Sequence, residues 1–336
     1  MQSKIRGKQT IAFESPPVVL SSATVVGPME GAGPLASKFH TVLTDTLDGE
    51  KSWERTESKM LKDAIKSTIT QANLMEADIN FLLAGDLLNQ ITASNYAARD
   101  LPISFLGLYG ACSNMALSLF LGSVLIDGGF AERVVAAASS HHDTAERQYR
   151  FPTEQGVQRP LTAQWTVTGA GATLLSRQGT GVKITYATPG KVIDLGVSDP
   201  NNMGAAMAPA VADTIIRHFQ DLGSTPADYD LIISGDLGQI GLNITKDLVS
   251  QGGYQLNNYT DCGILVYDDT QDVHSGGSGC GCSAVVINAH ILRELQAKRL
   301  KKVLFIGSGA LLSPTLTQQG ESIPSIGHAV VLEAPL

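Results

Sequence analysis

A chain of 336 residues is long enough for two domains, or one large one, with a substantial core. Its 43% hydrophobic and 17% charged residues describe a globular, rather apolar protein, and its 34 glycines imply many tight turns. The net charge of −8 argues against a nucleic-acid partner, which needs a basic face, and against electrostatic docking on an anionic membrane.

The N-terminus carries Lys4, Arg6 and Lys8, but only Ile11-Ala12-Phe13 follows before Glu14, so no signal peptide is visible. No apolar run approaches the roughly 18 residues of a membrane span. Four cysteines do not make a disulfide framework in a chain this long. A soluble cytoplasmic protein without a transmembrane segment is expected.

Residues 1–50 read as a strand or two with long Pro- and Gly-containing loops. Helical spacing from Trp53 to Ala72 puts Met60, Leu61, Ala64, Ile65 and Ile69 on one face. Asp78 to Asp86 is a buried strand running into a turn, and Thr92 to Arg99 a short helix. A second apolar run, Ile103 to Tyr109, ends in the small-residue turn Gly110-Ala111-Cys112-Ser113. A helix follows, with Met115, Leu119, Val124 and Ile126 at helical spacing, until Gly128-Gly129 stop it. Arg133 to Ser139 is a further buried strand, His141 to Pro160 a polar segment, and Thr166 to Ser176 a strand of small residues.

The second half repeats this order. Asp228 to Leu237 echoes Asp78 to Leu87, including the terminal Gly-Asp-Leu. Gly281-Cys282-Ser283 and its helix echo Ala111-Cys112-Ser113, Lys302 to Ser308 echoes Arg133 to Ser139, and Gly327 to Leu332 echoes Gly171 to Ser176. The offset grows from 150 at the Gly-Asp-Leu turns to 170 at the Cys-Ser pairs, so the second copy carries 20 extra residues within Gly238–Asp272. In this reading Pro209 opens the helix that precedes the second strand. Two copies of a strand–helix–strand unit with non-alternating apolar strands imply two α/β halves with mostly parallel central strands. They divide near Gln178-Gly179-Thr180-Gly181, giving halves of 1–178 and 179–336.

Cys112 at a helix start meets backbone N–H groups and the positive end of the helix dipole, which favour a thiolate. The same donors suit a carboxylate ligand. The alternative is a buried structural cysteine.

A duplicated α/β chain in which Ala111-Cys112-Ser113 opens a central helix resembles the thiolase superfamily, which includes the ketoacyl synthases. Four longer stretches resemble one branch, the stage V sporulation protein AD family: Gly7 to Thr10, Ala84 to Gln90, Ala145 to Glu154 and Gly309 to Thr315. The resemblance covers essentially the whole chain. It implies a thiolase-like fold in five layers, with the two Cys-turn helices between the sheets. It also implies a spore-forming bacterium and the binding of dipicolinic acid as it moves into the developing spore. The expected place is the forespore cytoplasm, or the periphery of the spore inner membrane beside integral membrane proteins of the same assembly. No cofactor is implied other than calcium accompanying dipicolinate.

The resemblance argues against catalysis. Synthases place a His after the strand corresponding to Leu231–Ser234, where this chain has Ser234-Gly235-Asp236-Leu237. The Gly-rich turn before the second central helix, Ser275 to Cys282, lacks the family's His or Asn. Gly307-Ser308-Gly309 stands where thiolases carry a second cysteine. Cys112 therefore keeps the nucleophile position without partners, and an acyltransferase or condensing enzyme using it is the alternative.

The expected ligand groups are Cys112 with Ala111 at the floor, Asp86 and Asn89 after a strand end, His141 after the strand ending at Ser139, Arg147 and Arg150 as carboxylate clamps, and Gly279 in the Gly-rich turn. Asp86 and Asn89 would serve equally as helix caps, and Arg159 is a further clamp candidate. No metal site is expected: the adjacent His141 and His142 point different ways, and Cys280-x-Cys282 lacks further ligands at standard spacing. The run Gly276–Gly281 lacks the Gly-Lys-Ser/Thr ending of a phosphate loop.

Overall fold

A computed structural model describes residues 3–149 and 159–335. In the first half, β1 (Val18–Val26), β2 (Phe81–Gly85), β3 (Ser104–Gly107), β4 (Arg133–Ser140) and β5 (Gly169–Ser176) are joined by α1 (Trp53–Gln71), α2 (Thr92–Arg99), α3 (Asn114–Asp127) and α4 (His142–Tyr149). The second half has β6 (Lys183–Thr188), α5 (Met203–Leu222), β7 (Leu231–Ser234), α6 (Gly238–Gln251), β8 (Tyr259–Asp261) and α7 (Cys262–Leu265). It ends with α8 (Cys280–Val286), which runs through a π turn into α9 (Leu292–Gln296), then β9 (Lys302–Ala310), α10 (Pro314–Gln318) and β10 (Ser325–Glu333).

The strand order is β3-β2-β4-β5-β1 in one half and β8-β7-β9-β10-β6 in the other, so each strand has a counterpart. In both halves the fourth strand of that order runs antiparallel to its neighbours. The halves meet edge to edge where Lys183 of β6 lies opposite Val18 of β1. The register refines one echo by a residue: Arg133 pairs with Ser176 as Lys302 pairs with Glu333, so Gly171 corresponds to His328 and not to Gly327.

The strands are apolar on both faces because both faces are covered. Helix α1 packs on β1 and β5 outside the first sheet, and α5 on β9 and β10 outside the second. Between the sheets lie α3 and α8, each touching strands of both halves. Their sequences suit this central layer. α3 is apolar on nearly every side, burying Met115, Ala116, Leu119 and Ile126, and every residue of α8 is buried. Burying a side chain the size of Leu119 contributes about 2 kcal/mol, and truncating it to Ala would cost about 3. The result is a five-layer α/β architecture with the two Cys-turn helices at its centre.

The extra residues of the second copy form the longer helix α6 and the short helix α7, where the first half has only α2. One expectation is corrected. Pro209 does not open α5 but lies buried within it, because the helix begins at Met203, where Asn202 accepts from the Ala205 N–H at 3.4 Å. The added N-terminal turns carry Met203 and Met207 to the wall of the site described next.

Candidate functional site

A cavity of about 800 Å³ opens at the C-terminal ends of β2 and β9, over the turn that precedes α3. Its floor includes Ala111, Cys112 and Ser278. Its walls come from the loop after β2, from α4, from the start of α5 and from the Ala310–Thr315 segment. The mixed lining is mostly neutral: Leu88, Ile91, Met203 and Leu312 supply apolar surface, while Gln148 and Ser313 supply polar groups. Among the described residues, no lysine or arginine lines it.

The Cys112 turn is held by strain and by glycine-scale packing. Ala111 has φ of 50°, a left-handed conformation that costs a non-glycine residue energy. Asn114 Oδ1 accepts from the Gly110 N–H at 2.8 Å, and the Ser113 hydroxyl donates to the Gly110 carbonyl at 2.6 Å. The end of β9 presses on this turn: a Cβ on Gly309 would lie 2.5 Å from the Gly110 oxygen. The wall has a second strained turn, with Gln90 and Ile91 both left-handed at φ of 57° and 46°.

Directly behind Cys112 lies Asp236, fully buried and absent from the sequence-based candidates. Its Oδ1 accepts from the Ser308 hydroxyl at 2.6 Å, and its Oδ2 accepts from the Gly279 N–H at 2.8 Å and, more weakly, from the Ser278 hydroxyl at 3.4 Å. Cys112 lies close enough for the two groups to perturb each other electrostatically. Burial raises the Asp236 pKa to about 6 despite these donors. Burial, and then the Asp236 charge, push the Cys112 thiol well above its ordinary range. The expectation of a thiolate favoured by the helix start is thus corrected. Burial and an acidic neighbour outweigh the helix-start donors and disfavour the thiolate.

The other expected residues divide. Asp86 reaches the cavity wall, but its oxygens are taken by the Leu88 N–H at 2.9 Å and by the Ser94 N–H and hydroxyl, each at 2.7 Å, so it caps α2. Asn89 lies on the rim, its N–H bonded to Gln148 at 3.0 Å. Gly279 is set by φ of 93° and by Ser140, whose Oγ would lie 2.7 Å from any added Cβ; it reaches the site through its N–H to Asp236. His141 is corrected: it is buried off the cavity, with Nε2 at 2.9 Å from the Thr46 carbonyl, and burial lowers its pKa. Arg147 is corrected too. It faces α1, paired with Glu54 and stacked over Trp53 at 5.4 Å, and lines a separate hollow of about 280 Å³. Arg159 binds Asp272 at 3.1 Å and lies over Trp165. Arg150 lies outside the described residues. Among the described residues no group of three or more His, Cys, Asp or Glu is arranged to hold a metal ion, and no helix is long and apolar enough to cross a membrane.

These features define a thiolase-like α/β protein with a cysteine on the floor of its cavity. Solved condensing enzymes share the fold: a tetronic acid condensing enzyme (TM-score 0.61, 14% identity, 95% of this chain and 100% of that one) and OleA of Xanthomonas campestris (0.60, 13%, 98% and 100%). The 3-oxoacyl-[acyl-carrier-protein] synthase III of Aquifex aeolicus also superposes (0.56, 12%, 94% and 99%). At such identities they bear on the fold alone. The particular family is given by sequence: a profile of stage V sporulation protein AD matches residues 7–333, and stage V sporulation protein AD of Bacillus subtilis (strain 168) is 50% identical over 331 residues, 98% of each chain. The chain belongs to the stage V sporulation protein AD family.

Proposed function

We propose that this protein binds dipicolinate in the cavity over Cys112 without chemically changing it, as part of the sporulation machinery that moves dipicolinate into the developing spore. The observation that carries this reading is the Cys112–Asp236 pair. Burial, and then the Asp236 charge beside it, raise the Cys112 pKa, which disfavours the thiolate that a condensing enzyme uses as its nucleophile. A neutral thiol is a poor nucleophile and a serviceable hydrogen-bond donor to a ligand. The family supports the sporulation setting. In this reading the partners are integral membrane proteins of the same assembly, the protein lies in the forespore or on the periphery of the spore inner membrane, and calcium enters only with the ligand.

Calorimetric titration with dipicolinate tests the reading. Saturable binding is expected, weakened at least tenfold by Cys112→Trp, whose ring would fill the floor. Incubation with acyl-CoA followed by intact mass measurement is expected to leave the protein unmodified. A Cys112 adduct that turns over would replace this reading with an acyltransferase.

A further inference from the structure

We infer that a dicarboxylate enters this cavity together with a proton, which Asp236 takes from solvent. The inference rests on the ligand reading above and adds to it how charge is balanced.

The described lining offers no cation to a dianion, and the floor hides an anion. Among the described residues, Asp236 has no cationic partner. Its three donors, the Ser308 and Ser278 hydroxyls and the Gly279 N–H, are all neutral. Among the described residues, the titratable groups that interact with it are all acids: Cys112 before α3, Asp261 at the end of β8, Cys262 in α7, and Cys280 and Cys282 in α8. Asp86 and Glu146 on the cavity wall add no positive charge. A dianion resting on Cys112 and Ser278 would lie one side chain above a carboxylate that has no cation beside it among the described residues. Like charges so placed shift toward protonation of the more basic one.

No bond to carbon or sulfur forms or breaks; one proton moves from solvent to Asp236, and it returns when the ligand leaves.

The pH dependence follows in sign. Free Asp236 ionises at about pH 6. Above that pH, binding must take up a proton, so Kd rises about tenfold per pH unit until the complex itself ionises. Below about pH 6 the group is already protonated and Kd levels off. Ligand carboxyls, with ordinary pKa values near 4, stay ionised throughout.

The experiment is calorimetry of the full chain with dipicolinate in metal-free buffers from pH 6 to 8, each pH in two buffers of different ionisation enthalpy. Uptake approaching one proton per ligand near pH 7.5 is expected, with Kd rising more than tenfold from pH 6.5 to 8. Asp236→Asn should abolish both the uptake and the pH dependence. Should that variant fail to fold, Ser308→Ala removes one donor, stabilises the acid form and should move the uptake to higher pH. Binding without proton uptake and with constant Kd overturns this inference alone. No binding at any pH overturns the ligand reading and this inference with it.

Discussion

The two Cys turns are equivalent in topology and opposite in exposure. Cys112 reaches the floor of a cavity, whereas Cys282, at the matching place in the second half, is fully enclosed. The longer connection of the second half makes the difference. It adds α7 and the chain that follows, and these lie on the Gly-rich turn so closely that a Cβ on Gly277 would meet Val266 at 2.7 Å and one on Gly263 would meet the Gly277 oxygen at 2.3 Å. In the first half β3 runs straight into the Cys112 turn, and among the described residues nothing equivalent covers it. A duplicated scaffold thus yields one site: the first half supplies the open turn, and the second supplies Asp236, Gly279 and Ser308 behind it.

The largest expected effect tests how closely a helix approaches each sheet, the central α8 on the first and the outer α5 on the second. On β5 a Cβ at Gly171 would lie 2.4 Å from the backbone oxygen of Ala284 in α8, with no flexible side chain to yield. Gly171→Ala should therefore destabilise the protein by about 3 kcal/mol or more in urea unfolding. Gly327→Ala, whose nearest neighbour would be 3.2 Å away, should cost about 1 kcal/mol. Equal costs would mean that α8 does not approach the first sheet as closely as described.

Much of this was legible beforehand, for reasons tied to particular residues. Apolar runs and the repeated Gly-Asp-Leu located both halves, because a buried parallel strand ending in a turn leaves a local pattern. The Cys112 turn was legible too, since glycine, alanine and serine crowd around it. Asp236 was not. Its partners Gly279 and Ser308 lie 43 and 72 residues away, so only the folded chain reveals that one Gly-Asp-Leu carries a cap and the other a buried anion. The direction of Arg147 was likewise hidden, because it depends on Trp53 and Glu54 of a distant helix. The start of α5 was misread because a proline fits a first turn by habit, and its tolerance inside the helix is decided by tertiary packing.

A smaller effect compares the two cysteines directly. Iodoacetamide at pH 8, followed by peptide mass mapping, should modify Cys112 slowly and leave Cys262, Cys280 and Cys282, all fully buried, intact. Asp236→Asn removes the charge that opposes the thiolate and should speed Cys112 alkylation more than tenfold without exposing the other three. Modification of Cys282 at the rate of Cys112 would break the distinction between open and covered turns. Reaction of all four together would report unfolding instead, which circular dichroism separates.

The smallest effect separates the two aspartates. Asp86 takes its donors from its own loop and the helix that follows, so it acts as a cap at short range. Ser94→Ala removes one of those donors and should cost about 1 kcal/mol of stability while leaving dipicolinate affinity within twofold of the parent. Asp236 takes its donors from two other segments, and loss of Ser308 should move proton uptake more than stability. Were Ser94→Ala to weaken binding tenfold at unchanged stability, Asp86 would be a ligand group in its own right. The two halves would then contribute one carboxylate each to the site, in place of a cap on one side and a proton acceptor on the other.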